Sequence, residues 1–253
     1  QRSGLTMTTL SGAAASQVAE HALGMLLALG HNLPALLATQ KKAEWPKDRF
    51  ERFTPVELRG KMVGIVGYGS IGRQLAYLLR PLGAKILATK RDAMHPERSG
   101  YTPEDSGDPG GDLVERLYPA AALRSMLKLC NFVAVTVPLT AETRGMLNAK
   151  MLSALPPGAF LVDVSRGGIV DTNALLQMLK DGRLAGAALD VFPEEPLPAN
   201  SPLWSQPNLI ISPHISGHSP YYNERAVQLF SENIHRYLAG LTLYNIFERS
   251  RGY

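Results

Sequence analysis

The chain has 253 residues, 45% of them hydrophobic, enough to bury a substantial core in one large domain or two small ones. Its net charge is only +4, with Lys and Arg scattered among 22 acidic residues and no basic arm or aromatic-basic ladder, so a small anionic ligand is favoured over nucleic acid as a partner. The single cysteine, Cys130, cannot form an internal disulfide and lies in an apolar stretch, which reads as a packing residue in a reduced, cytoplasmic setting.

From the N-terminus, Val18, Ala22, Met25, Leu26 and Leu29 recur at helical spacing with Ser16 as a candidate N-cap, so the pattern predicts an amphipathic helix over 16–30. Its apolar run, Ala22 to Gly30, is bounded by His21 and His31 and is too short to span a bilayer. It also lacks the flanks of a signal peptide, and no membrane partner is expected. His21 and His31 read as structural. A second helix is expected over 34–42, followed by a charged, Pro-containing surface loop over 45–59.

Strands and helices then alternate. Strands are expected at 61–66, 84–89, 131–136, 159–164, 185–190 and 208–211, with helices at 70–80, 119–129, 148–154 and 171–181. Such alternation implies right-handed βαβ units and a doubly wound α/β fold whose parallel sheet is covered on both faces. Residues 93–118, rich in Pro, Gly, Asp and Glu, read as an inserted surface loop without a legible function. A long terminal helix is expected over 221–240, with Ala226, Leu229, Phe230, Ile234, Tyr237 and Leu238 forming an apolar stripe that needs a partner surface.

The first predicted strand of this series runs into Gly67-Tyr68-Gly69-Ser70-Ile71-Gly72 and then a helical pattern. A dinucleotide site needs that order: Gly67 for the tight turn, Gly69 for close approach of a pyrophosphate, and Gly72 for helix-to-strand packing. The helix N-terminus then offers N–H groups to the anion. At the end of the next strand, where an acid would accept hydrogen bonds from the adenine ribose of NAD, the chain has Thr89, Lys90 and Arg91. Charge-assisted bonds to a 2′-phosphate, at roughly 1.5 to 3 kcal/mol each before screening, favour NADP over NAD. Asp92 is the rival, because a small register shift would bring an acid to the ribose.

Several further motifs follow in order: Val18-Ala19-Glu20-His21, Val137-Pro138-Leu139-Thr140 with Thr143, Val164 to Asp171, Ala188 to Phe192 with Glu195-Pro196, and Ser212 to Gly217. Together with the glycine turn, they make the chain resemble the D-isomer-specific 2-hydroxyacid dehydrogenases from about residue 5 to residue 240. The resemblance implies a Rossmann domain over 13–217, a remnant of a smaller flavodoxin-like substrate domain at 1–12, and a helix at 218–253 that returns to it. Most of the smaller domain is expected to lie outside this chain, leaving the terminal helix's stripe exposed and putting turnover by the chain alone in doubt.

The resemblance also implies a reaction centre of Arg166, Glu195 and His214, and the chemistry of these residue types agrees. Reducing a 2-keto acid needs a cation for the carboxylate, which Arg166 supplies through paired N–H bonds. It needs an acid for the developing alkoxide, which His214 supplies, with Glu195 orienting the ring. Ser70 and Ile71 would meet the pyrophosphate, Val137, Pro138 and Thr143 the cofactor's length, and Val164, Ser165, Arg166, Asp190, His214 and Gly217 the nicotinamide end. No metal site is expected. The implied enzyme is a homodimer acting on a small 2-keto or 2-hydroxy acid, of glyoxylate/hydroxypyruvate reductase type. Alternatives are a dinucleotide-regulated binding module like the family's corepressors, or a related dehydrogenase acting on phosphite or 3-phosphoglycerate.

Overall fold

The computed structural model describes residues 5–97, 100–103 and 107–248. The opening Gln1–Gly4 of the expected remnant, Arg98, Ser99 and Glu104 to Ser106 of the expected insertion, and residues 249–253 lie outside the described residues.

Seven strands form one sheet in the order β3-β2-β1-β4-β5-β6-β7: β1 Met62–Val66, β2 Lys85–Lys90, β3 Arg116–Pro119, β4 Phe132–Val135, β5 Ala159–Asp163, β6 Leu184–Leu189 and β7 Leu209–Ile211. Every neighbouring pair is parallel, so all seven carboxyl ends open on one edge. The strand order reverses between β1 and β4, and that switch point opens the crevice in which such sheets bind ligands. This is the doubly wound Rossmann arrangement that the alternating sequence implies.

The two faces have different covers. One lies under α1 (Ala15–Gly30) and α4 (Ser70–Leu79), where Val18, Ala22, Leu26, Leu75 and Leu79 bury against Val63, Ile65, Phe132 and Phe160. The last two rings stack with centroids 4.9 Å apart. The other face lies under α5 (Leu123–Leu127), α6 (Ala149–Leu152) and α7 (Thr172–Lys180), with Leu127, Leu152, Leu175 and Leu179 against Val133, Val135 and Leu161. Cys130 belongs to this second core; burial pushes its thiol up to about 12, and its Sγ–H donates to the Met126 carbonyl. That is the packing role expected of it.

The structure corrects several local expectations. Residues Arg116–Pro119, read as the end of a loop and the start of a helix, form β3; four residues are too few to show alternation, and pairing with Leu87–Lys90 decides the matter. The helix expected over 119–129 is consequently only Leu123–Leu127, entered through the turn Ala120–Ala122. The helix expected over 148–154 is Ala149–Leu152, capped by the Asn148 side chain, which accepts the Met151 N–H. The first helix begins at Ala15 behind Ala14 with no side-chain cap, so Ser16 is not the N-cap. α2 (Leu33–Lys41) matches its expectation within a residue, whereas the loop over 45–59 contains a single turn, α3 (Arg49–Arg52).

The last helix, α8 (Tyr222–Leu238), turns Leu229 inward but leaves Phe230, Ile234, Tyr237 and Leu238 exposed. Arg225 of α8 donates to Gln17 at 2.6 Å, and Gln17 donates to the Gly217 carbonyl, fixing the start of the helix against α1. Near the two termini, Thr8 bridges Ile246 in antiparallel fashion. Among the described residues, no single helix is long and apolar enough to cross a membrane.

Candidate active site

At the switch point, β1 ends at Val66 and the chain turns at Gly67, whose φ of 104° favours glycine. A Cβ there would also lie 2.6 Å from Val137 Cγ1. At Gly72 a Cβ would sit 2.3 Å from the Gly67 carbonyl oxygen and 2.9 Å from Ile65 Cγ2, so α4 can lie this close to β1 only with glycine. Gly69 differs, because a Cβ on it would meet no protein atom within 4 Å. The open space before Gly69 faces the first turn of α4, where the N–H groups of Ser70 and Ile71 have no intrahelical acceptor. A tight turn, an unfilled approach and oriented N–H donors fit a pyrophosphate.

Three more loops leave the same sheet edge. β5 ends at Asp163 and leads to Arg166, which is exposed and whose Nη1 donates to the Ser165 carbonyl at 2.7 Å. The next residue, Gly167, packs directly on the loop after β6: a Cβ would fall 1.8 Å from the Phe192 carbonyl oxygen. That second loop carries Glu195, whose Oε1 accepts the Phe192 N–H at 2.9 Å. The third loop, after β7, presents His214 in the left-handed region at φ 52°. His214 Nδ1 lies 2.6 Å from Glu195 Oε2. The backbone contact at Gly167 and the Glu195–His214 bond join the three loops, although their residues are far apart in sequence.

Burial works against the Glu195 carboxylate, but the His214 ring and the Phe192 N–H outweigh it and hold its pKa below the usual range. The imidazole therefore has an ionised acceptor on Nδ1, which leaves Nε2 for a substrate. Chemically, a histidine oriented by a carboxylate can move a proton to or from an oxygen, and an arginine on the adjoining loop can pair with a carboxylate.

With this geometry in place, comparison with known proteins is informative. The family model described as "D-isomer specific 2-hydroxyacid dehydrogenase, NAD binding domain" matches residues 23–216. A glyoxylate reductase of Thermococcus litoralis is 33% identical over 241 residues, covering 94% of this chain and 68% of that protein. A D-3-phosphoglycerate dehydrogenase of Methanocaldococcus jannaschii is 31% identical over 247 residues, covering 96% of this chain but only 43% of that one. The crystal structure of a D-isomer specific 2-hydroxyacid dehydrogenase from Xanthobacter autotrophicus Py2, in complex with NADPH and MES, superposes with a TM-score of 0.81 at 31% identity, covering 99% of this chain and 95% of that one. This chain belongs to the D-isomer specific 2-hydroxyacid dehydrogenase family.

In this family member most of the remaining expected residues fall into two groups. Val137 and Thr143 are half-buried beside the glycine turn and Pro138 is exposed there; Val137 packs on Gly67, and the Thr143 hydroxyl donates to the Pro138 carbonyl at 2.5 Å. Thr89, Val164, Ser165 and Asp190 are instead buried beneath the crevice. The Thr89 hydroxyl accepts the Gly67 N–H at 3.1 Å, and its carbonyl accepts the Tyr68 N–H, so Thr89 builds the turn rather than standing at its rim. The Ser165 N–H donates to Asp163 at 3.0 Å, and its hydroxyl donates there as well.

Asp190 is the anchor of the histidine loop. It accepts the Ser212 hydroxyl at 2.6 Å, the Ile215 N–H at 2.9 Å and the Ser216 N–H at 3.0 Å. Burial opposes its charge, yet these donors, Ser212 first, hold its pKa below the ordinary carboxylate value. His21 Nε2 lies 3.1 Å from Ser212 Oγ, giving that helix histidine a structural place behind the loop. Sequence reasoning missed Ser212 and Ser216 in this role, and no local pattern announces them because their acceptor lies 22 or more positions earlier.

Lys90 stands at the end of β2, and its Nζ donates to the His95 carbonyl and, at 3.0 Å, to that of Glu97. Arg91 pairs with Glu142 at 3.4 Å. The rival acid, Asp92, is tied up locally: Oδ1 accepts the Met94 N–H at 3.1 Å, and Oδ2 lies 2.7 Å from His95 Nδ1.

Proposed function

We propose that this protein interconverts a small 2-keto acid and the corresponding D-2-hydroxy acid, using NADP in preference to NAD. The observation that carries this reading is the 2.6 Å bond between Glu195 and His214, on a loop packed against the one bearing Arg166. Ser70 and Ile71 would hold the pyrophosphate and Lys90 with Arg91 the 2′-phosphate, while Val164, Ser165, Asp190 and Gly217 form the floor and far wall of the nicotinamide end. The bound dinucleotide supplies or accepts the hydride.

Arg166 pairs with the substrate carboxylate and draws electron density from the adjacent carbonyl. His214, with Nδ1 fixed by Glu195, gives its Nε2 proton to the carbonyl oxygen in reduction and takes it back in oxidation. The glyoxylate reductase among the relatives supports a small keto acid, and the NADPH in the Xanthobacter structure supports the phosphorylated dinucleotide.

The same reading groups residues 1–12 and 218–253 with a substrate domain around the Rossmann unit 13–217, supported by the bridge between Thr8 and Ile246. It includes a homodimer in a cytoplasmic setting, with the exposed Leu33, Leu36 and Leu37 of α2 as apolar surface for the contact.

The test is turnover of glyoxylate and hydroxypyruvate by the full-length protein with NADPH and with NADH. His214→Ala is expected to lower kcat by about a hundred- to ten-thousand-fold, the range for a removed general acid. A rate near that of the unmodified protein removes His214 from the chemistry, and a clear preference for NADH overturns the cofactor assignment.

A further inference from the structure

The segment between β2 and β3 has no role in the reaction just described, yet its described parts are bonded closely to the dinucleotide turn. Tyr68, the residue between Gly67 and Gly69, is 2% exposed, and its hydroxyl donates to Asp108 Oδ2 at 2.5 Å. The same carboxylate accepts the N–H groups of Gly111, Asp112 and Leu113 at 3.0 to 3.1 Å. Arg73, in the first turn of α4, is equally buried and lies over the Tyr68 ring, 4.7 Å from its centroid. Its two terminal nitrogens donate to the carbonyls of Asp108 and Pro96.

The three successive carbonyls of His95, Pro96 and Glu97 therefore accept from Lys90, Arg73 and Lys90 in turn. Two cations sit beneath one tripeptide, near enough that, after burial, Arg73 is the next cause lowering the Lys90 pKa; Glu97 and Asp92 oppose that shift. Such an arrangement is costly in free energy. It desolvates a guanidinium, crowds like charges and leaves Arg73 Nε buried without a partner among the described residues. What it does fix is the Lys90 ammonium at the carboxyl end of β2: of its three N–H groups, two go to the carbonyls and one remains for a further acceptor.

We propose that the segments Asp92–Glu97 and Gly107–Leu113 form a strap that selects the phosphorylated dinucleotide by holding the Lys90 ammonium in place for the 2′-phosphate. Asp108 and Tyr68 act as positioning residues that fasten the strap to the glycine turn. This rests on the reading above that Lys90 meets the 2′-phosphate. Selectivity then comes from pre-organisation as well as charge, because a lysine free to swing loses rotamer entropy on meeting the phosphate and a strapped one has already lost it.

The test is calorimetric titration of the chain with 2′,5′-ADP and 5′-AMP, which differ only in the 2′-phosphate. Tyr68→Phe deletes a single hydroxyl, and Asp108→Asn keeps the shape while weakening every bond to the carboxylate. Each is expected to lower the ratio of the two affinities by about three- to tenfold, with 5′-AMP binding changed by less than about twofold. Tyr68→Phe keeps the test decisive if Asp108→Asn does not fold. Unchanged binding of both nucleotides overturns the strap, as does an equal loss for both, which would mean only that the turn had loosened. Lys90→Ala separates the two levels: if it leaves the ratio unchanged, the 2′-phosphate reading itself fails and takes the strap with it. A lowered ratio there with no response to Tyr68→Phe leaves that reading standing and removes the strap alone.

Discussion

Replacing Glu195 with glutamine tests the reaction centre most directly, because the carboxylate serves two donors at once. Oε1 accepts the Phe192 N–H at 2.9 Å and Oε2 faces His214 Nδ1 at 2.6 Å. Glutamine has one oxygen and one NH2, so it can accept from only one of them. If its oxygen keeps Phe192, the NH2 confronts Nδ1 and the ring must turn Nδ1 into an acceptor. The imidazole then cannot carry both protons without a donor–donor clash, and it fails as an acid. If the oxygen turns to His214, the Phe192 N–H loses its partner and the loop carrying residue 195 loosens.

Either way a charge-assisted bond worth about 1.5 to 3 kcal/mol is lost, which at 1.36 kcal/mol per decade corresponds to roughly a 10- to 150-fold lower kcat. Dinucleotide affinity should not change, since Glu195 bonds only to Phe192 and His214 among the described residues. The assay is steady-state reduction of a 2-keto acid across a pH series. Because Glu195 is held below the usual carboxylate range, unmodified protein should keep its rate as pH falls through that range and lose it only below. A Glu195→Gln variant that retained kcat within about twofold at every pH would refute the idea that the carboxylate sets the protonation of His214.

Two further outcomes separate binding from stability. Gly69→Ala points a methyl into space that no protein atom occupies, at an ordinary φ of −89°. It should unfold in urea like the unmodified chain while binding NADPH at least about tenfold more weakly, because the methyl takes the approach of the pyrophosphate. Gly72→Ala, with a Cβ 2.3 Å from the Gly67 oxygen, should lose stability by about 1–3 kcal/mol or more in the same titration. Equal behaviour of the two variants would contradict the division of labour in the turn. Asp163, buried under the Arg166 loop, has its pKa pushed up from 3.8 to about 7, mainly by burial. The folded state thus binds a proton that the unfolded state releases, and stability contributed by this group falls as pH rises from about 4 towards about 7. Asp163→Asn, which keeps an acceptor for Ser165, should raise Tm above neutral pH and flatten this dependence; a lower Tm there would show that the charged form is the one the fold prefers.

The sequence alone determined whatever rests on near neighbours. Alternating apolar runs define the central strands, a glycine spacing between strand and helix marks the dinucleotide turn, and the motifs that arrive in order carry the family resemblance through which Arg166, Glu195 and His214 are expected as a reaction centre. These signals are legible because a strand, a cap or a tight turn is chosen by residues within a few positions of one another. Tertiary structure decided the rest. Whether Arg116–Pro119 is a strand depends on β2, and the placement of His214 depends on Asp190 reaching Ser212, Ile215 and Ser216. Gly167 reads locally as a turn residue, yet the Phe192 carbonyl against it is what requires glycine there. The segment after β2 has a loop's composition, and only packing shows that Asp108 and the His95–Glu97 carbonyls hold Tyr68, Arg73 and Lys90. In each case the partner lies outside the window in which sequence periodicity or turn chemistry carries information, so the choice falls to burial and hydrogen-bond satisfaction in the assembled core.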